Sequence, residues 1–152
     1  MTLLAESVAG LHWAAPAGWK TGPPKQMRAA TYLIPAAPGD HDEAECVIYF
    51  FGQGQGGSVQ ANIDRWKGQF GQTARAKTAD RMIHGLKVTT VDVFGSYAGM
   101  GGGAAKPGYR MLGAIVENTG GNLFLKFAGE AKTVAANQSK FDQLLGSFAK
   151  DH

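Results

Sequence analysis

The stretch that decides the fold is residues 45–70, ECVIYFFGQGQGGSVQANIDRWKGQF. It opens with an apolar run over residues 46–51, breaks at a glycine-rich turn and continues with apolar residues at helical spacing. The apolar residues at helical spacing are Val59, Ile63, Trp66 and Phe70. They recur every three or four positions, which places them on one face of a helix. The sequence therefore predicts a buried strand, a tight loop and an amphipathic helix over residues 59–70 with Ser58 as its cap.

Strand patterns lie on both sides of this unit. Residues 27–34 are rich in strand formers, and further patterns cover residues 78–83, 86–97, 109–117 and 123–128. Turns containing glycine join the later ones, which is typical of hairpins. A second helix is predicted over residues 133–150, with an apolar stripe at Val134, Phe141, Leu144, Leu145 and Phe148. This order predicts an α+β fold, with an antiparallel sheet flanked by helices in an α/β/α layering and two main helices.

Length and composition indicate one domain. The chain has 152 residues, of which 44% are hydrophobic, including eight Phe, four Tyr and three Trp. A chain of this size buries enough surface to be stable without disulfides or metals. We expect residues 1–10 to form a flexible segment and residues 11–152 to form a single α+β domain.

The charge distribution argues against nucleic-acid binding. The formal net charge is only +3. Basic residues are concentrated at one place in the sequence, at Arg65, Lys67, Arg75, Lys77 and Arg81. We predict that they form a solvated face. A nucleic-acid groove needs more charge, with exposed aromatic residues between the basic groups. A weakly bound anionic partner stays open as an alternative.

The single cysteine and the apolar segments exclude a disulfide scaffold and a membrane-spanning helix. Cys46 cannot form an intrachain disulfide, and its apolar neighbours indicate a core residue rather than a nucleophile. No apolar stretch approaches the roughly 20 residues that a membrane-spanning helix needs. Residues 1–10 lack the charged start and the long apolar centre of a signal peptide. We expect a soluble chain, periplasmic or secreted if a leader has been removed.

Spaced residues from Leu11 onward resemble a family of small, mostly uncharacterised bacterial domains with the Mog1/PsbP-like fold. The matching positions are Trp19, Met27, Arg28, Ala29, Tyr32, Ile34, Pro35, residues 49–52, 54–57, 62–66, 85–88, 91–92 and 107–111, and the terminal pattern at residues 141–148. The resemblance implies an antiparallel sheet flanked by helices. It also implies an accessory or ligand-binding role rather than turnover, and a place in the cell envelope.

The glycine-rich loop offers one candidate for chemistry. Gly52, Gly54 and Gly57 satisfy G-x-G-x-x-G between a strand and a helix, where backbone N–H groups can hold a phosphate. No strand ending in an acidic residue follows about 20 residues later, and Ser58 is not preceded by the lysine of a Walker loop. A structural turn is the favoured interpretation. The alternative is a nucleotide- or anion-binding enzyme that uses Gly54, Gly56, Gly57 and Ser58.

An acidic loop offers a second candidate. Asp40, His41, Asp42 and Glu43 could give a divalent ion oxygen ligands and one imidazole. Their spacing matches no calcium loop, so a solvated loop is the favoured interpretation. We expect no cofactor.

Aromatic residues offer a third candidate. Trp13 and Trp19 lie beside prolines and could line an exposed groove near the amino end for a peptide or small ligand. Tyr109 and Arg110 follow the glycine-rich segment 99–108, which could close over an anionic ligand. We predict that these four residues bind ligand.

The sequence favours a binding domain over an enzyme. No serine lies in a nucleophile-elbow context, and the histidines are scattered, so no catalytic group is predicted. The leading hypothesis is a non-catalytic binding or accessory domain that takes a protein or a small ligand. A third possibility is an interaction protein that forms a homodimer through a sheet edge.

Overall fold

The computed structural model describes residues 5–71, 75–98 and 106–151, which form ten strands and three helices. The strands are β1 Ala5–Val8, β2 Leu11–Ala14, β3 Lys20–Thr21, β4 Arg28–Ile34, β5 Ala44–Phe50, β6 Arg75–Ile83, β7 Leu86–Tyr97, β8 Lys106–Val116, β9 Leu123–Glu130 and β10 Ala149–Lys150. The helices are α1 Val59–Gly68, α2 Ala131–Ala136 and α3 Gln138–Gly146. None of these helices is long and apolar enough to cross a membrane.

A seven-stranded sheet is the centre of the molecule, in the order β3-β4-β5-β9-β8-β7-β6. All six neighbouring pairs are antiparallel. The strand predicted at residues 46–51 is β5, which lies between β4 and β9. The α+β class with an antiparallel sheet is confirmed, and two of the three helices are long enough to count as main helices.

Helices cover both faces of the sheet. On one side, here called the α3 face, β2, α2 and α3 pack onto a core that includes Trp13, Tyr32, Cys46, Leu125, Phe127, Phe141, Leu144 and Phe148. On the other, here called the α1 face, α1 packs onto a second core that includes Ile63, Trp66, Phe70, Val91, Val93, Met111, Ile115 and Phe124. Because alternate residues of a strand point to opposite faces, the central strands are apolar throughout. Burial raises the pKa of the Cys46 thiol, in agreement with a core position.

Helix α1 begins as predicted and ends two residues early. The Ser58 hydroxyl accepts a hydrogen bond from the backbone N–H of Ala61, which caps the helix. Ile63 and Trp66 face the sheet and are buried. Phe70 is also buried, but it lies in the turn that follows the helix.

The carboxyl-terminal region corrects the prediction of one helix over residues 133–150. Asn137 separates α2 from α3 with a non-helical backbone, and its side chain donates a hydrogen bond of 2.9 Å to the Thr133 carbonyl. The chain leaves α3 at Gly146 and ends in β10, which pairs with β2. This turn lets Phe148 stack on Trp13 at 5.2 Å between ring centres. The predicted apolar stripe is nonetheless entirely buried.

The described part of the segment expected to be flexible forms a strand instead. Ala5–Val8 pairs with β2 in an antiparallel hairpin, so β1, β2 and β10 make a second, three-stranded sheet. The turn falls at Ala9 and Gly10, both with positive φ. Strand β2 thus has hydrogen-bond partners on both sides, β1 on one and β10 on the other.

Helix α1 packs closely on the sheet at Gly113. A Cβ at this position of β8 would lie 2.8 Å from the Trp66 ring and 3.0 Å from the Val91 side chain. We therefore expect Gly113→Ala to lower the free energy of unfolding by about 1–3 kcal/mol, because the ring has to move. Chemical denaturation followed by circular dichroism measures the change.

The matched control is Gly68→Ala in α1, where a Cβ meets nothing within 4 Å. It should leave the free energy of unfolding unchanged or raise it by up to about 1 kcal/mol. Equal stabilities of the two variants would show that the Trp66 contact is not tight.

Candidate functional site

An open groove of about 330 Å³ lies on the α1 face, where the helix leaves the sheet uncovered. Strands β5, β7, β8 and β9 supply its walls. We call it the tyrosine groove, defined by Tyr49, Tyr97, Tyr109 and Lys126. A smaller cavity of about 140 Å³ lies beside it under α1 and shares Tyr49 and Lys126. Lys126 therefore borders both spaces.

Lys126 is a buried cation with neutral hydrogen-bond partners. It lies on β9 between Val47 and Gly113 of the neighbouring strands, and it is 9% exposed. Its ammonium donates hydrogen bonds of 2.9 Å to the Gln69 amide oxygen and 3.2 Å to the Tyr97 hydroxyl. Because neither partner carries a negative charge, the burial of the ammonium is only partly compensated.

The surroundings of Lys126 lower the pKa of its ammonium to about 8. Burial is the largest cause, and the positive charges of Arg65 and Arg28 act in the same direction, against the opposing effect of Glu45. Glu45 itself lies 3.6 Å from the Arg28 guanidinium. The field at Lys126 is thus favourable for an additional negative charge.

The three tyrosines form an aromatic wall of the groove, and the Tyr97 hydroxyl contacts the lysine. Tyr97 stacks on Tyr109 at 5.8 Å between ring centres and also contacts Phe70 at 4.9 Å. Burial raises the pKa of the Tyr97 hydroxyl and, as the largest of several causes, that of Tyr49. Both hydroxyls therefore stay protonated at neutral pH and can donate hydrogen bonds to a ligand.

Charged residues of both signs lie at the opening of the tyrosine groove. Glu43 and Glu45 lie along one side of the groove, and Lys106 lies on the other. The Lys106 ammonium is 5.7 Å from the centre of the Tyr109 ring. The Arg28 guanidinium takes the same position over Tyr49, also at 5.7 Å. Cations thus flank two of the three rings.

Helix α1 positions its polar side chains through one buried amide. The Asn62 side chain donates hydrogen bonds of 2.8 Å each to the carbonyls of Gly56 and Ser58, and its oxygen accepts one from Arg65. Asn62 is fully buried. It therefore ties the glycine loop to the helix and holds Arg65 on the side of the smaller cavity.

The predicted groove at Trp13 and Trp19 is corrected, because both rings lie in the core of the α3 face. The Trp13 indole N–H donates to the Tyr32 hydroxyl at 3.0 Å, and that of Trp19 donates to the Asn137 side chain at 3.3 Å. Neither ring lines a surface groove, since they are 0% and 6% exposed.

Tyr109 and Arg110 are separated by the sheet. They are neighbours on β8, so Tyr109 points into the tyrosine groove and Arg110 points to the α3 face. There, Arg110 makes two hydrogen bonds to the Asp92 carboxylate, at 2.9 and 2.7 Å. One ligand cannot contact both side chains from one side. The glycine-rich segment expected to close over them lies largely outside the described residues.

The glycine loop has the features of a packed turn. Gly54, Gly56 and Gly57 all have positive φ, and a Cβ at Gly56 would lie 2.7 Å from the Phe124 ring. Strand β5 has antiparallel neighbours on both sides, so the parallel strand pair of a dinucleotide-binding unit is missing here. Anion binding by the amides of Gly54, Gly56, Gly57 and Ser58 stays a prediction.

The acidic loop is tied to the protein by its own hydrogen bonds. The Asp40 carboxylate accepts bonds from the backbone N–H and the hydroxyl of Thr133. The backbone N–H groups of His41 and Asp42 donate to Glu130, which lowers the pKa of that carboxyl. In the described part of the chain no three side chains of metal-ligating type are placed to share an ion, and this includes Asp40, His41, Asp42 and Glu43.

Of the four residues that define the tyrosine groove, only Tyr109 is a candidate predicted from the sequence, and its role as a ligand contact stays a prediction. Lys126 had a recognisable signal, since it is the only charged residue in LFLKFAG, a run that contains the strand predicted over residues 123–128. Tyr49 and Tyr97 had none, because they lie in strands far apart in sequence. Only the strand order brings them together.

Comparison with protein-family models and with curated proteins gave no match. Among solved structures, the chain is similar to cyanobacterial PsbP (CyanoP) from Synechocystis sp. PCC 6803, with a TM-score of 0.62 and 13% identity over 98% of this chain and 92% of that one. It is similar to PA94, a protein of unknown function from Pseudomonas aeruginosa, with a TM-score of 0.59 and 14% identity over 97% and 96%. It is also similar to the Ran-binding protein Mog1p from Saccharomyces cerevisiae, with a TM-score of 0.54 and 8% identity over 97% and 95%. These likenesses confirm the Mog1/PsbP-like fold.

The low pKa of Lys126 predicts a pH-dependent stability. In the unfolded chain the ammonium titrates near 10.5, so between pH 8 and pH 10 the unfolded state binds more protons than the folded state. The free energy of unfolding of the wild type should therefore rise between pH 8 and pH 10. The rise should exceed that of Lys126→Met by about 2 kcal/mol. Urea denaturation at pH 7, 8, 9 and 10 measures the difference.

Lys20→Met removes the same charge from exposed β3 and is the control. Its stability should follow the wild-type pH profile. If Lys126→Met also follows the wild type, the ammonium is not destabilised by burial.

Proposed function

We propose that this protein is a non-catalytic binding domain and that the tyrosine groove binds a small organic anion. The observation that carries the proposal is the Lys126 ammonium, which is buried among neutral hydrogen-bond partners at the base of an open groove. At pH 7 a group with a pKa of about 8 is mostly protonated. A carboxylate or phosphate of the ligand would supply the negative charge that the fold does not place beside it.

The walls favour a ligand with an apolar or aromatic body. Val47, Ala128 and the tyrosine rings line the space between the charged groups of the mouth. A volume of about 330 Å³ lies at the lower end of the range for small-molecule sites. Such a ligand would direct its anionic group to Lys126 and its ring against the stacked pair of Tyr97 and Tyr109.

Binding without turnover agrees with the groups in the groove. Burial raises the pKa of the Tyr49 and Tyr97 hydroxyls, which therefore serve as donors rather than as bases. Among the described residues, those that line the groove include no cysteine and no histidine. The envelope location implied by the family resemblance belongs to this proposal, and cell fractionation of a strain expressing the native gene tests it.

Titration with matched small probes tests the ligand class. Benzoate and phenyl phosphate should shift the backbone amide resonances of β5, β8 and β9, whereas the neutral isostere benzamide should not. Lys126→Met should weaken benzoate binding at least about tenfold, because it removes a charge-assisted hydrogen bond. Heteronuclear NMR titration gives both the location and the dissociation constant.

The pH dependence of benzoate binding distinguishes the Lys126 ammonium from the other titratable groups nearby. Affinity for benzoate should fall on the order of tenfold between pH 7 and pH 9.5, as Lys126 loses its proton. Glu43, Glu45, Lys106 and the three tyrosines also line the groove, and the charges of Arg28 and Arg65 act on Lys126, so Lys126→Met has to abolish this dependence. Equal binding of benzamide, or unchanged affinity in Lys126→Met, would contradict the proposal.

A further inference from the structure

We propose that β6 is a docking strand for an extended acidic segment of a partner protein, which adds to the sheet beside Arg75 and Lys77. This surface lies at the sheet edge and on the α3 face. It is therefore separate from the tyrosine groove, and the two proposals stand or fall independently.

The edge of the sheet at β6 is long and open. The strand has nine residues, so it extends roughly 30 Å. It pairs with β7 on one side, and no described strand lies on its other side. Every residue from Arg75 to Met82 is exposed. Unpaired N–H and C=O groups along such an edge can bind a further strand.

The side chains of β6 determine the charge of that strand. Arg75, Lys77 and Arg81 occupy alternate positions with the buried Ile83, so all three lie on the α3 face. Arg81 has a partner, because its guanidinium is 3.4 Å from the Asp142 carboxylate. Among the described residues, no carboxylate lies within 4 Å of the Arg75 or Lys77 cations. An acidic chain would supply these carboxylates.

An open groove of about 760 Å³ continues from the edge onto the sheet. Its floor includes one row of the strand register, in which Phe94 lies between Arg75 and Arg110. Phe94 is 42% exposed, and the Arg110 guanidinium lies 4.9 Å from the centre of its ring. The groove thus offers an apolar contact flanked by cations.

Asp92, the one acidic group among the described residues that line this groove, is already neutralised. Both Asp92 oxygens accept hydrogen bonds from Arg110, which also donates to the Gln138 side chain at 3.2 Å. Asp92 therefore does not compete for the free cations of Arg75 and Lys77. The net charge that the groove presents to a docking chain is positive.

The same charges disfavour a homodimer through this edge. An antiparallel pairing of two β6 strands centred on Ala79 would set Lys77 opposite Arg81 of the second copy. Like charges directly opposite each other destabilise a strand pair. An acidic segment has the complementary sign at the same positions, so it is the better occupant of the edge.

A designed peptide tests the proposal on the full chain. The probe is an acetylated nine-residue peptide of alternating valine and glutamate. We expect it to bind and to slow amide hydrogen exchange along β6, because new backbone hydrogen bonds form there. Arg75→Glu combined with Lys77→Glu should reduce the affinity at least about tenfold, and should create binding of the same peptide with lysine in place of glutamate.

Three controls make the result decisive. Lys20→Glu reverses a charge at the opposite edge strand and should leave the affinity unchanged. A glutamate peptide with proline at its centre should not bind, since it cannot complete the strand. Circular dichroism checks that the double variant is folded, and Lys77→Gln replaces it if it is not.

Several outcomes would overturn the proposal. These are equal binding of the lysine peptide by the wild type, undiminished affinity in the charge-reversed variant, and binding that leaves exchange in β6 unchanged. Light scattering that shows a dimer, with slowed exchange in β6 before peptide is added, would assign the edge to a second copy instead.

Discussion

The contact between Trp66 and the bare backbone at Gly113 is the constraint on which the α1 side of the molecule depends. A Cβ at Gly113 would collide with the indole ring, so the helix can approach the sheet this closely only at glycine. The approach of α1 brings Gln69, just beyond the helix, within 2.9 Å of the Lys126 ammonium. It also carries Arg65, whose charge contributes to the low pKa of that lysine. Packing and electrostatics in the tyrosine groove therefore have a common origin.

The two faces of one strand in the sheet have different surroundings. Along β8, Tyr109 faces the tyrosine groove while Arg110 binds Asp92 on the α3 face. Lys126 lies among neutral partners on one side, and the charged groups Arg75, Lys77 and Asp92 lie on the other. A seven-stranded sheet with partial helical cover on both faces thus offers two separate surfaces.

Local patterns predicted most of the elements, because spacing and capping act within a few residues. Helix α1 and its Ser58 cap followed from them. Strand β7 showed no clean buried face in sequence, and the structure explains why: Val88 is buried on the α3 face, whereas Val91 and Val93 are buried on the α1 face. The break at Asn137 was missed because its amide bonds to Thr133 and to Trp19, and the second of these contacts spans the chain. The tyrosine groove was missed for a similar reason, since strand order assembles it.

The pairing of β2 with both β1 and β10 has a consequence for how this protein is made. Leu11 and Trp13 belong to a core that also contains Phe148, which stacks on Trp13 although it is made much later than β2. While the segments between them are being made, the apolar side chains of β2 lack this part of their cover, and a nascent chain in that state is exposed to aggregation. A chain that stalls before Phe148 is made would keep an open apolar surface for chaperones to recognise.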